Sequence, residues 1–531
     1  MRRIISWAAF LALAGGCSVP EPDARVWVAY NQDCGNFYGW HLKHHPNEPM
    51  TRQTLAEYFD PSLASCVTHY FINPNGMTAS FESDAFECDW KLHGKIECAM
   101  SSRYRTHDKI MALKRQLADD KLDPFAFFME RARERGVSPW ISMRMNDVHH
   151  TWEDDNRMIA RHWLAHPEMR LHPDYPIFTA MKKDSSFVAY DFEWREVREL
   201  RLRQVDELLS RYDADGIELD FMRECQLFRP GRARENVPLL TAFVREVRRM
   251  AGIVAKRRGH GFGVAVRIPS RPEAARALGM DFETWAREGL VDLVIAGNNY
   301  PSSDFGYSSA EWKRILRAAN PSVRFLAGRD DGFASECRRE TRRALTMAEQ
   351  AGWIERHLAE GADGLYFFNI CYADWNSGDM RYFKEGGWSV RRFATEGRAY
   401  PVSYIDYARF VGTPLEAPQL PVEVGGRQVD VRVACGRMPT EGTVAAVLGF
   451  SRTPSPKLRA TVRLNGQAAS GSAEGPSDLF VTRPEKRCGK SVWRFEFPAS
   501  AMREGFNVIT IGGVGQRECV LHACEMQVGG T

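Results

Sequence analysis

After residue 17 no stretch of the 531 residues is apolar and long enough to cross a membrane, which excludes a membrane-spanning body. Charge of one sign is also missing: 71 Lys and Arg against 68 Asp and Glu leave a net charge of only +3. With no basic block, nothing electrostatic points to DNA or RNA, and the partner is expected to be a small molecule or a polymer other than nucleic acid. There is no C-x-x-C pair and no H-E-x-x-H stretch, so neither a zinc ribbon nor a zincin helix is encoded, and no motif asks for a cofactor.

What is present is a chain too long for one core, 44% apolar and 26% charged, so two domains are expected. Arg2 and Arg3 precede an apolar stretch from Ile4 to Ala14 and then Gly15-Gly16-Cys17, the anatomy of a secretory signal. Small residues before the cysteine resemble a bacterial lipobox. Residues 1–17 are therefore expected to be a lipoprotein signal, with lipidated Cys17 as the anchor to a membrane and the protein extracytoplasmic. Without Cys17, eleven of the twelve cysteines remain, in a compartment that permits disulfides. Cys88 with Cys98, and some pairing among Cys435, Cys488, Cys519 and Cys524, are the expected bridges.

From about 25 to 412 short apolar runs alternate with amphipathic stretches, as in a parallel sheet with helical crossovers. Eight runs can be counted: 25–30, 66–72, 138–145, 216–221, 263–268, 291–296, 323–327 and 364–368. Eight is the number that closes a (β/α)8 TIM barrel. Past Pro414, Pro418 and Pro421 the texture changes to short alternating strands with Gly- and Pro-rich turns, and residues 413–531 read as a C-terminal β-sandwich. That module could bind carbohydrate or simply pack on the barrel.

The run Asp215-Gly216-Ile217-Glu218-Leu219-Asp220-Phe221 carries the chemistry. Alternation puts Glu218 and Asp220 on one face of a buried strand, where two acids cost desolvation and repulsion. Asp220, one layer nearer the strand's end, is the expected catalytic carboxylate. Glu218 is expected to pair with Arg144 or Arg267 and to tune it. Nearly every other strand also ends polar. Asn31, Asp33, Asn73, Arg144, Asn146, Asp147, His149, Arg223, Arg267, Asn298, Tyr300 and Asn369 form the expected substrate-binding rim. Glycoside hydrolysis needs a second carboxyl, for which Asp330 after the seventh strand and Glu273 after the fifth are the candidates, with Glu218 also in reach.

Three segments resemble the glycosyl-hydrolase-like barrels related to glycoside hydrolase family ten, a group of uncharacterised bacterial proteins. They are Met143-Arg144-Met145-Asn146-Asp147-Val148-His149, the run Asp215 to Arg223, and Val266-Arg267-Ile268-Pro269 with Glu273. The resemblance implies a glycosidase without naming its sugar. A weaker likeness to chitinase-type barrels matches Asp215, Gly216 and Asp220 but puts Met222 where the catalytic glutamate should stand, which argues against substrate-assisted chemistry. The expectation is a lipid-anchored glycoside hydrolase acting on a polysaccharide or oligosaccharide. A non-catalytic glycan-binding lipoprotein is the alternative, and a metal-dependent hydrolase would need Asp and His ligands converging from several strands.

Overall fold

The computed structural model describes residues 26–529 except 64, 92–101, 150, 152–157, 175–186, 299–301, 331, 337–341, 369, 371–379, 408–414, 416, 452–459, 475–490 and 515–518, and gives only the backbone of 102–107. Cys17 and the expected signal, Tyr300 and Asn369 lie outside the described residues. Among those described, no helix is long and apolar enough to cross a membrane.

Eight strands form a closed parallel barrel: β1 (Trp27–Gln32), β2 (His69–Ile72), β3 (Ser138–Arg144), β4 (Gly216–Asp220), β5 (Gly263–Pro269), β6 (Leu293–Gly297), β7 (Arg324–Arg329) and β8 (Gly364–Phe367). Each overlaps one of the eight apolar runs. Covered by helices outside and by one another's side chains inside, they read as nearly continuous apolar segments. The crossover helices are sequence-coded too. Ala233–Arg258 buries Leu240, Val244, Val247, Ala251 and Val254 at helical spacing and stops at Gly259, whose φ of +75° suits a left-handed cap. Pro124–Glu134 starts behind Asp123, which accepts from the amides of Phe125 and Ala126, a cap that contributes about 1 kcal/mol.

The barrel interior has a floor. Trp140 of β3 lies across β4 and β5, and a Cβ on Gly216 or Gly263 would come within 2.3 or 2.4 Å of its ring. The glycine of the Asp215-to-Phe221 run is therefore there to admit an indole. Phe71 stacks on Trp140 with centroids 5.4 Å apart and meets Tyr366 edge-on at 5.1 Å. Polar groups can occupy only the layers above.

Apart from a two-stranded ribbon, Gly332–Phe333 with Arg343–Ala344, the remaining strands form two antiparallel sheets, consistent with the expected sandwich. One contains β9 (Arg398–Pro401), β10 (Val422–Glu423), β12 (Thr443–Phe450), β15 (Gly471–Glu474), β16 (Ser491–Pro498) and β18 (Val520–Val528). The other runs β11 (Val429–Cys435), β17 (Gly505–Gly512), β13 (Thr461–Leu464), β14 (Gln467–Ala468). Strand β9, ahead of the proline linker, pairs with β18, so the larger of these sheets recruits chain from before residue 412.

Tight contact joins the two parts. Glu355, on helix Met347–Ala359 beside the barrel, meets Arg398 at 3.0 Å and the Tyr400 hydroxyl at 3.1 Å. A Cβ on Gly436 would fall 1.8 Å from the Glu355 carboxylate, so glycine is required for this approach. The expected bridges are not formed among the described cysteines. Cys88 donates to backbone carbonyls, and Cys435, Cys519 and Cys524 are buried in the sandwich without joining one another. Burial pushes the Cys435 thiol up to about 12, as befits an inert core thiol. Cys98 and Cys488 lie outside the described residues.

Candidate active site

Strand β4 sends Ile217 and Leu219 outward into the helices and Glu218 and Asp220 inward, all four completely buried. Parallel register then fixes each acid's neighbours. Asp220 lies opposite Arg144 on β3 and Arg267 on β5, whereas Glu218, one layer deeper, lies opposite Ser142 and Ala265. Rows in register share a face, so arginines belong to the upper layer and a hydroxyl to the lower one.

The upper layer is an ion-pair ring. Arg267 Nη1 donates to Asp220 Oδ1 at 2.8 Å, and the Met222 amide donates to the same oxygen at 2.9 Å. The Arg267 guanidinium rests on the Phe368 ring, 3.8 Å from its centroid. Gly297 on β6 leaves the space, since a Cβ there would stand 2.9 Å from Arg267 Nε. Arg144 turns the other way, meeting Asp33 at 2.9 Å and Asp147 at 3.1 Å. Burial works to raise the Asp33 carboxyl, but the charges of Arg144 and Arg223 outweigh it and hold it at about 2. Asp147 is likewise held well below the usual range, against its burial, by His149, Arg144 and Arg223. His149 sits on Asp147 at 2.8 Å and against Arg223, and burial together with the Arg223 charge lowers its pKa.

The lower layer is neutral in character. Ser142 Oγ donates to Glu218 Oε1 at 3.1 Å and accepts from Asn31 Nδ2 at 2.9 Å. Burial, then the adjacent Asp220 charge, pushes the Glu218 carboxyl up to about 8, with Arg267, Tyr366 and Ser142 pulling the other way. The Glu218 carboxyl thus holds its proton more tightly than a free carboxyl does, beneath the Asp220 that pairs with Arg267. The expected pairing of Glu218 with Arg144 or Arg267 is corrected: both arginines are in the Asp220 layer and take Asp220, Asp33 and Asp147 instead.

Buried atoms without hydrogen-bond partners collect at this mouth. They are Asn31 Oδ1 of β1, Asn73 Oδ1 just after β2, Arg144 Nε of β3, Glu218 Oε2 and Asp220 Oδ2 of β4, Arg267 Nε of β5, Asn298 Nδ2 just after β6, and the Tyr366 hydroxyl of β8. An orphaned buried polar atom costs about 1–3 kcal/mol, and interiors ordinarily avoid it. Here donors and acceptors stand side by side, the complement of a ligand whose hydroxyls both donate and accept.

The other expected rim residues divide. Asn73 Nδ2 holds the Ser142 carbonyl at 2.7 Å, and Asn146 clamps the Tyr190 backbone, donating to its carbonyl at 2.8 Å and accepting from its amide at 3.0 Å. Arg223 braces Asp147 at 3.5 Å. Asp330 is buried after β7, with Arg342 3.2 Å from its Oδ1. Glu273 stands apart: its side chain is 58% exposed on helix Pro272–Ala277, turned to Arg276 of the same helix. Register, rather than residue type, brings in Ser142 and Tyr366, which the strand-end reading passes over. Asp304, past β6, is also buried, accepting from Ser270 Oγ at 2.6 Å.

No family model matches the sequence, and no curated protein matches it. Solved structures do. A Paenibacillus sp. cycloisomaltooligosaccharide glucanotransferase, complexed with cycloisomaltoheptaose, is 10% identical over 95% of this chain and 58% of its own, with a TM-score of 0.33. Alpha-L-fucosidase isoenzyme 2 of Paenibacillus thiaminolyticus is 13% identical over 70% of this chain and 49% of its own, with a TM-score of 0.38. The alpha-amylase of Geobacillus thermoleovorans, complexed with acarbose, is 10% identical over 92% and 98%, with a TM-score of 0.36. The chain spans about half the length of the first two, 58% and 49%. These neighbours are glycoside-hydrolase-like (β/α)8 barrel proteins at low identity, and none of them singles out glycoside hydrolase family ten.

Proposed function

We propose that this protein is a glycoside hydrolase, acting outside the cytoplasm on a polysaccharide or oligosaccharide and tethered through lipidated Cys17. One observation carries the reading: Asp220 is fixed through Oδ1 by Arg267 and the Met222 amide, while its buried Oδ2 is left without a partner amid the other orphaned donors and acceptors of the mouth. A carboxylate so held presents one oxygen to an incoming sugar carbon or to the water attacking it. Asp33 and Asp147, locked as anions by arginine, cannot supply a proton at neutral pH. For the second carboxyl that the chemistry needs we favour Asp330, buried after β7 and 3.2 Å from Arg342. The surface position of Glu273 fits it less well.

The alternative, a glycan-binding lipoprotein, draws on one fact: Asp220 is wholly enclosed and already ion-paired. Product release from neutral, uronic and sulfated glycans, by the chain lacking residues 1–17 and by its Asp220→Asn variant, separates the two. Cleavage by the parent, reduced about 10³-fold or more in the variant, is expected. Glycan binding by both without cleavage would establish the binding protein, and equal cleavage by both would remove Asp220 from the chemistry.

A further inference from the structure

At and below Asp220 three buried oxygens, Glu218 Oε2, Asp220 Oδ2 and the Tyr366 hydroxyl, make no hydrogen bond of good geometry, although the Tyr366 hydroxyl and the Glu218 carboxyl face each other closely enough to interact. They belong to one electrostatic unit, because Asp220, Arg267 and Tyr366 all act on Glu218, and Glu218, Arg267 and Asp220 all act on Tyr366. Glu218 Oε1 is already taken by Ser142. With Ser142 donating to Oε1, the Glu218 proton sits on Oε2, where the Tyr366 hydroxyl oxygen and Asp220 Oδ2 are the acceptors open to it. The second choice would tie up the oxygen that the proposed hydrolysis needs.

We propose that Tyr366 is a positioning residue that keeps the two carboxyls apart: its hydroxyl accepts the Glu218 proton, leaving Asp220 Oδ2 for the sugar. This rests on the reading of Asp220 as the catalytic carboxylate. Geometry supports it from β8, where Tyr366 stands over Phe71, its ring centroid 6.0 Å from the Arg267 guanidinium that grips Asp220. The groups facing Glu218 are Ser142 from β3, Asp220 from its own strand, Arg267 from β5 and Tyr366 from β8. When Glu218 ionises, the same hydroxyl reverses and donates to Oε2, easing the loss of the proton. Once that proton is gone, Arg267 faces two anions instead of one, and activity falls on the alkaline side.

Tyr366→Phe removes the acceptor without changing the ring. The Glu218 proton then turns to Asp220 Oδ2 in a charge-assisted bond, which holds it more tightly and blunts the nucleophile or base. On the substrate found by product release, kcat is expected to fall about tenfold with KM little changed, and the alkaline limb of kcat to move up by at least about half a pH unit. Glu218→Gln, which cannot ionise, is expected to lose that limb. A substrate-free readout runs beside it: the infrared carbonyl band of a protonated carboxyl, taken as parent minus Glu218→Gln to remove other buried acids, titrates near 8 in the parent and higher in a Tyr366→Phe background.

Equal midpoints and equal limbs in Tyr366→Phe and parent, with Asp220→Asn inactive, would overturn the role of Tyr366 while the hydrolase reading stands. An active Asp220→Asn variant would overturn the hydrolase site, and the infrared titration would still decide whether Tyr366 governs the Glu218 proton.

Discussion

Two of the buried carboxyl pairs among the described residues each hold one acid whose pKa is pushed up, and they resolve the problem oppositely. At the barrel mouth, Arg267 bonds Asp220, Glu218 lies one layer deeper on Ser142, and Glu218 Oε2 and Asp220 Oδ2 make no hydrogen bond. Where the barrel meets the sandwich, Glu349 and Glu525 lie together beside Arg343. There Arg343 grips both Glu349 oxygens, at 2.5 and 2.7 Å, the Thr346 amide adds a third bond, and Gln527 donates to Glu525 at 2.9 Å. In both pairs one acid is pushed up to about 8, Glu218 and Glu525, by burial first and the neighbouring charge second. The titration is alike; hydrogen-bond satisfaction is not. A pair that is closed off holds structure together, and a pair left open awaits something else.

The contrast breaks hardest at Arg343. Arg343→Met leaves Glu349 buried and ionised without its cation, and loss of one partner from a buried pair costs about 3–5 kcal/mol. Denaturant unfolding should show that loss. A loss under about 1 kcal/mol would mean that the interface is wet, and the contrast with the mouth would collapse.

Gly436 comes next. Gly436→Ala drives a methyl onto the Glu355 carboxylate, which also holds Arg398 and Tyr400, and only backbone movement can relieve it. Overpacking of this kind costs about 1–3 kcal/mol. The expected result is a lower unfolding midpoint with no change at the mouth, where Gly436 has no contact in the Asp220 network. Unchanged stability would show that barrel and sandwich can part without penalty.

How much of this could be read beforehand depends on whether the signal is local. The eight barrel strands were legible because strands covered on both faces are near-continuous apolar runs broken by amphipathic helices. Asp220 was legible because a charge inside such a run stands out. Strand β12 was not, for it is buried from Val444 to Phe450, its Ala445, Ala446 and Gly449 giving neither alternation nor bulk. Strand β18 was hidden by His522 and Glu525, whose partners Glu336 and Glu349 come from the barrel part. Partner choice inside the site was equally non-local. Glu218 bonds Ser142 rather than an arginine because cross-strand register places them opposite, and Tyr366 enters only when the barrel closes β8 onto β1. Residue type announced the acids, whereas register decided what each would touch.

The smallest expected effect sharpens the comparison by isolating one proton. Because the folded Glu525 carboxyl sits at about 8, far above its ordinary 4.5, the native state binds a proton that the unfolded chain has released across that window. Stability from this group is complete below about pH 4.5 and is lost as pH rises through 8. Each such proton contributes a slope of about 1.4 kcal/mol per pH unit. Glu218 contributes in the same direction, so the parent should weaken from pH 5 to 8 with a slope of up to about two protons. Glu525→Gln keeps a donor and an acceptor beside Glu349 while removing the titration, and should reduce that slope by about one proton and leave the pH profile of activity alone. Glu218→Gln should reduce the slope equally and change the activity profile as well. If the two variants act alike on both measurements, the interface and the mouth are coupled, and the division between a closed structural pair and an open functional one fails.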